Sequence, residues 1–354
     1  MNFGIDDDDR LINDSISVFA VELLRPHARS AEAERCPVDR VRTTFAELGF
    51  EALDLPEVVG GAGRGMLTRA RVNRTLGKAD AGAALALDRL GPATYVLQAF
   101  GGPDAVAQFA GPLLAAGGQR IVLLIEQADR ELAANERIVG SVPWVPTDRA
   151  DLVVGLGPTS AWVLRGPASV EPVPGSGLLA AGASRVSFDG LVAAVWTDPE
   201  AAARALAKVR LYYASLLVGV LYDSTEFSRA YAQERMAFGK PVAHHQGMAF
   251  MIVDLFTAVE QVRLLIEDAA RRIDDGVDAR QHAAAAFVEA IDASRYVGPN
   301  GVQILGGHGF MRDYPVEKAM RESRALGLLA GGVERARDDA STLALQINDT
   351  FVGA

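Results

Sequence analysis

The chain has 354 residues, 49% of them hydrophobic, and a formal net charge of −10 from 45 acidic and 35 basic side chains. That length and apolar share supply a sizeable core and two or three domains, while the acidic balance argues against a nucleic acid or an anionic membrane surface as partner, because both recruit basic faces. A single cysteine, Cys36, leaves no internal disulfide, and the five histidines, His27, His244, His245, His282 and His308, have no spacing suited to zinc or another metal.

From Asp6 to about Phe109 apolar residues recur at helical spacing, as in Leu11, Ile12, Ile16, Val18, Phe19, Val21, Leu23 and Leu24. The acidic run Asp6–Asp9 reads as charge at a helix start. Pro56 and the glycines Gly60, Gly61, Gly63 and Gly65 break this region with a loop that allows close backbone approach. From Arg120 to about Thr197 the character changes to short apolar runs, IVLLI, DLVVGL, AWVLR and RVSF, separated by Gly, Pro and Asp, which predict strands. Beyond Asp198 helical periodicity returns over 200–235, 247–275, 279–304 and 332–348. The order is helices, sheet, helices: a mostly α, α+β chain with a helical domain at 1–118, a middle β domain at 119–197 and a helical bundle at 198–354. The first residues, MNFGIDDDDRLI, lack a basic region followed by an apolar run, and no stretch of about 18 uninterrupted apolar residues occurs, so the expectation is a cytoplasmic protein without membrane insertion.

Three clusters carry residues suited to chemistry. In ERMAFGKPVAHHQG, 234–247, a helix ends and another begins, with Arg235, Lys240, His245 and Gln246 at the junction. These either meet a phosphate, helped by the free N–H groups of the second helix, or form an ordinary solvated loop. In VQILGGHGFMRDYPVEKAMRE, 302–322, a helix runs into Gly306 and Gly307, which can cap it and admit a flat ring or a diphosphate to the backbone. This GGxG lacks the full glycine fingerprint of a Rossmann fold. LAGGVERARDD, 329–339, is another Gly-Gly break before a charged helix, and no GxSxG elbow accompanies the Ser, His and Asp residues present.

The segments RMAFGKPVAHHQ and VQILGGHGFMRDYPVEKAMRE, in that order and spacing, resemble the C-terminal signature of the acyl-CoA dehydrogenase family, and FAELGFEALDLPEVVGGAGRG resembles its early helix and glycine loop. The resemblance implies an N-terminal helical domain, a middle β-sandwich or barrel-like domain and a C-terminal four-helix bundle. It implies FAD as cofactor, with Arg235 at the diphosphate and Phe238 and Gln246 beside it. Gln303, Ile304, Leu305, Gly306 and Gly307 correspond to the segment that reaches a neighbouring subunit's flavin, so oligomerisation follows. The implied reaction is α,β-desaturation of an acyl-CoA thioester: a carboxylate removes the α proton while the β hydrogen leaves as hydride to the flavin.

Ungapped counting puts the family's two alternative glutamate positions at Ala330 and Val209, neither of which accepts a proton. In the β domain LLIEQADRELAANERIVGSVPW stands where the family shows a Thr-Glu-Pro…Gly-Ser-Asp stretch and a tryptophan strand, and only Glu126 remains recognisable. Gly332 replaces the threonine that usually follows the catalytic loop glycine. The leading expectation is a subunit of a heteromeric assembly, a heterotetramer by resemblance, in which a homologous partner chain supplies the base; such assemblies handle bulky acyl-CoA substrates, steroid fragments among them. A second expectation is a self-sufficient enzyme, assembling with itself, with Glu334 or Glu126 as displaced base. The third is a homologue without redox function that binds acyl groups or plays a structural part.

Overall fold

The computed structural model describes the backbone of residues 7–352 and the side chains of residues 7–342, so Asp6 lies outside the described residues. The first region is helical: α1 Asp7–Phe19, α2 Ala28–Glu34, α3 Asp39–Glu47, α4 Met66–Leu87, α5 Ala93–Phe109 and α6 Gly111–Ala116. Asp7, Asp8 and Asp9 occupy the first turn of α1, where the helix dipole favours negative charge, and Ile16 and Phe19 are its buried face. The helix continues through one π-helical turn, Ala20–Leu24, which the periodicity did not announce. The N-terminus of α4 is capped from far away in sequence: Asp274 accepts the N–H groups of Met66 at 2.6 Å and Leu67 at 2.9 Å. Gly65 makes room for that carboxylate, since a Cβ there would lie 2.6 Å from it.

The middle region is a six-stranded curled sheet built from β1 Ile121–Ile125, β2 Arg137–Val145, β3 Leu152–Leu156, β4 Ser160–Arg165, β5 Ser169–Pro172 and β6 Ser184–Thr197. The order is β1-β3-β4-β6-β2, with β5 also on β6; β1 and β3 run parallel and every other pair antiparallel. Register shifts between Val142 and Val145 and between Val163 and Leu164 bend the sheet around β6. One face packs Val154, Leu156, Ala161 and Val163 against Val96, Leu97, Val106 and Phe109 of α5. The other face encloses Val153, Trp162 and Phe188. The four apolar runs became β1, β3, β4 and β6; β2 and β5 are additions to them.

The last region holds α7 Pro199–Glu234, a short hairpin of β7 Met236–Ala237 and β8 Lys240–Pro241, then α8 Gln246–Asp274, α9 Arg280–Leu305, α10 Val316–Leu326 and α11 Gly332–Val352. Asp198 caps α7 by accepting the N–H groups of Glu200 at 2.9 Å and Ala201 at 3.0 Å, with Pro199 at the first helical position. By length and composition α7 could cross a bilayer, but 83% of its most apolar window is buried inside the protein, as befits the central helix of a bundle. Helices α4 and α7 meet through glycines on each: a Cβ on Gly77 would fall 2.2 Å from the Leu216 carbonyl oxygen, and one on Gly219 would fall 2.2 Å from that of Arg74.

Candidate functional site

The end of α7 presents a polar and aromatic group to solvent. Arg235 leaves the helix in an extended conformation, donates its N–H to Tyr231 O at 2.8 Å and accepts the Val242 N–H at 2.8 Å, which fixes the β7–β8 hairpin. Its side chain is exposed and has no carboxylate within ion-pair reach among the described residues. Phe238, at the hairpin tip with φ +52°, is 97% exposed. Gln246 is exposed at the first position of α8, a helix start with no side-chain cap, so its N–H groups are available to an anion.

The end of α9 lies at the same end of the bundle. Gln303 is exposed, and Gly306 (φ +58°, ψ −131°) stops the helix in a conformation open only to glycine, with empty space where a Cβ on Gly306 or Gly307 would stand. Ile304 and Leu305 are each only 4% exposed. Their side chains belong to the core, so what they leave at the surface is backbone. His308 joins the two segments: its Nδ1 is 2.8 Å from the Tyr231 hydroxyl on α7.

A second feature is a cleft of about 700 Å³ between the sheet and the bundle, in the size range of small-molecule sites. Trp144 at the end of β2 forms one wall, with Leu328, Gly332 and Val333 opposite and Arg295 and Arg324 at its border. A Cβ on Gly332 would meet nothing within 4 Å. Trp144 therefore restores an aromatic surface where the sequence left only Glu126 recognisable. The tryptophan sits in the stretch already singled out, and only the placement of β2 shows which way it is turned.

The two positions expected to hold a base are closed. Val209 is 0% and Ala330 2% exposed, both within the main apolar core, and Ala330 takes φ +54° between α10 and α11. Neither lines the cleft. Glu126 is engaged: one carboxylate oxygen accepts the Trp162 indole N–H at 2.8 Å, the other pairs with Arg130, and its carbonyl accepts from Arg335 at 2.6 Å. Glu334 is a surface residue with an 80% exposed side chain, paired with Arg337 at 3.2 Å. Beside Val209, Arg210 is buried and bonded to Asp339 at 2.5 Å, and burial draws its pKa down.

One turn beyond Val209, Tyr212 donates to Asp88 at 2.7 Å within a buried network that also holds Arg69, Asp54 and Tyr95. Burial raises the Asp88 carboxyl, whereas Asp54 lies below its ordinary value because the adjacent Arg69 and its hydrogen bonds outweigh burial. This network escaped the sequence because its members are spread over three helices and a loop. It ties α4, α5 and α7 together.

Comparison with known proteins agrees with this layout. Residues 6–117 match the acyl-CoA dehydrogenase N-terminal domain and residues 200–342 the acyl-CoA dehydrogenase C-terminal domain. Cyclohex-1-ene-1-carbonyl-CoA dehydrogenase of Geobacter metallireducens is 26% identical, over 92% of this chain and 94% of the relative. Benzylmalonyl-CoA dehydrogenase of Aromatoleum aromaticum is 25% identical, over 94% and 96%. The structure of butyryl-CoA dehydrogenase from Megasphaera elsdenii shares the fold with a TM-score of 0.82 at 20% identity, covering 98% of this chain and 100% of that one. With both terminal domains matched and relatives aligned from end to end, the chain belongs to the acyl-CoA dehydrogenase family of FAD-dependent oxidoreductases.

Proposed function

We propose that this chain is the flavin-holding, base-deficient subunit of a heteromeric acyl-CoA dehydrogenase, with the α-proton acceptor supplied by a homologous partner chain. The observation that carries the reading is the contrast between two sets of positions. Arg235, Phe238, Gln246 and the Gly306–Gly307 turn are exposed, whereas both base positions are apolar and packed away.

The residues present fit FAD. Arg235 offers a free guanidinium fork to a diphosphate, the uncapped start of α8 offers N–H donors, and Trp144 with the bare Gly332 backbone offers a flat-sided slot. Bound FAD supplies the acceptor for the β hydrogen as hydride. The chain's own residues would bind and orient it, with Trp144 and the loop at 327–333 walling the cleft against water. Among the described residues that line the cleft there is no carboxylate, which supports a base supplied from elsewhere.

Two features support a second chain as its source. The cleft reaches Ser294 on α9, and Gly306 lies about 18 Å further along that helix at its rise of 1.5 Å per residue. The exposed Phe238, Met236 and Phe310 form an apolar fringe around Arg235 and the glycine turn, the kind of surface a partner covers. The names of the two relatives matched end to end denote ring-bearing acyl thioesters, which supports a ring-bearing acyl-CoA as substrate class. The test is the visible spectrum and native mass of the chain expressed alone and beside other acyl-CoA dehydrogenase chains. Flavin and dehydrogenase activity confined to a mixed oligomer are the expected result; an active yellow homo-oligomer would refute the heteromeric reading and return attention to a displaced base.

A further inference from the structure

We propose that His308 is a positioning residue for the cofactor: it locks the Gly306–Gly307 turn to the last turn of α7 and so sets the spacing between that turn and Arg235. The inference rests on the reading that these two segments hold the flavin dinucleotide, and the experiment below separates the two.

The turn needs an outside anchor. Three of its five residues are glycine; Gly309 is buried against the Val302 carbonyl, but Gly306 and Gly307 touch nothing where a side chain would be, so local sterics leave the first half of the turn unconstrained. His308 is the one residue of the turn whose side chain makes a polar contact inside the molecule, among the described residues. Its Nδ1 lies 2.8 Å from the Tyr231 hydroxyl and 3.4 Å from that of Tyr314. Its ring stacks on Tyr314 with centroids 5.2 Å apart and planes 9° apart, and Tyr231 stands edge-on to both, at 80° to His308 and 84° to Tyr314.

The box is itself held from behind. The Tyr314 carbonyl accepts from Arg29 at 2.7 Å, and Phe227, one turn before Tyr231 on α7, packs on the Tyr314 ring at 6.2 Å. On its other side, the carbonyl of Tyr231 receives the N–H of Arg235. A continuous chain of contacts therefore runs from the glycine turn through His308 and Tyr231 to the arginine. In the tautomer with its proton on Nε2, His308 accepts the Tyr231 hydroxyl at Nδ1, which makes the lock a directional hydrogen bond as well as a stack.

The test measures FAD affinity by flavin fluorescence on the assembled protein stripped of FAD, with native mass and thermal midpoint recorded without cofactor. His308→Ala is expected to weaken FAD binding about tenfold, the loss of one well-made hydrogen bond and its preorganisation. His308→Gln, whose amide oxygen can still accept from Tyr231, is expected to restore most of it. Tyr231→Phe should weaken FAD in the same direction, and the double variant Tyr231→Phe with His308→Ala should be no worse than His308→Ala alone, because both remove one shared interaction. Wild-type affinity in His308→Ala and Tyr231→Phe, with Arg235→Ala losing FAD, overturns the lock and leaves the cofactor site standing. Full FAD retention in Arg235→Ala as well removes the site and the lock together. If His308→Gln is as impaired as His308→Ala, or all variants lose FAD only in proportion to their loss of thermal stability, the role is structural and the proposal is wrong.

Discussion

Lys318 sits in the interior with its ammonium 2.9 Å from Asp80 and 2.6 Å from Glu322. Burial is the largest influence on Glu322 and pushes its carboxyl up to about 7, against the opposing pull of Lys318. Between the ordinary glutamate value and about 7 the folded protein holds a proton that the unfolded chain has released. This contribution to stability is therefore complete at acid pH and is lost as pH rises through about 7, at up to about 1.4 kcal/mol per pH unit. Glu322→Gln is expected to flatten that dependence: denaturant midpoints at pH 5 and pH 8 should lie closer together than in the wild type. Lys318→Met should destabilise strongly, by about 3–5 kcal/mol, because it leaves two buried carboxylates facing each other. Arg235→Ala belongs to the same scale but not to stability. Its side chain is exposed and unpaired, so the folded fraction should be unchanged while FAD retention falls, read from the visible absorbance per chain. Arg235, Phe238 and Gln246 stand out in the sequence because helix-end chemistry and motif coincide there. Ile304 and Leu305 come from the same motif, and helical spacing turns their side chains inward with Val297 and Gly301.

The contact between α4 and α7 depends on two glycines rather than on a ridge of large side chains. A methyl group on Gly77 cannot be accommodated without moving one helix, because it would fall 2.2 Å from a backbone oxygen. Gly77→Ala is therefore expected to cost about 1–3 kcal/mol in chemical denaturation, against the small gain that Gly→Ala gives in an unconstrained helix. The elements themselves divide by how they announce themselves. Strands β1, β3 and β4 are buried on both faces and appear as unbroken apolar runs. Strand β2 alternates exposed and half-buried residues around Gly140 and Pro143, so its RIVGSVPWV reads as loop, and Trp144 was lost with it. Helix α10 is VEKAMRESRAL, whose buried residues include the charged Lys318 and Glu322; their i,i+4 pairing is readable in the sequence, but the third member, Asp80, is visible only in three dimensions. The π-helical turn at Ala20–Leu24 leaves no mark on periodicity because it adds a single residue to one turn.

At the level of the whole molecule, the sequence conveyed helices, then sheet, then helices, and the family resemblance gave that order a known arrangement. What it did not convey is how the candidate cofactor features are distributed in space. The cleft beside Trp144 and the cluster around Arg235 and Gly306 lie at different places along α9, and the core between the remaining helices closes over Val209 and Ala330. A chain that holds flavin and lacks a base should bind acyl-CoA chemistry only in company. The central claim is that this subunit does not itself abstract the α proton, and exchange of that proton reads the step without requiring redox turnover. The measurement is incorporation of deuterium from D2O into the α position of cyclohexanecarbonyl-CoA by the chain alone with FAD added and by its mixed assembly. The account predicts exchange by the assembly and none above the buffer rate by the chain alone. Exchange by the isolated chain would show that it carries its own base and would contradict the account.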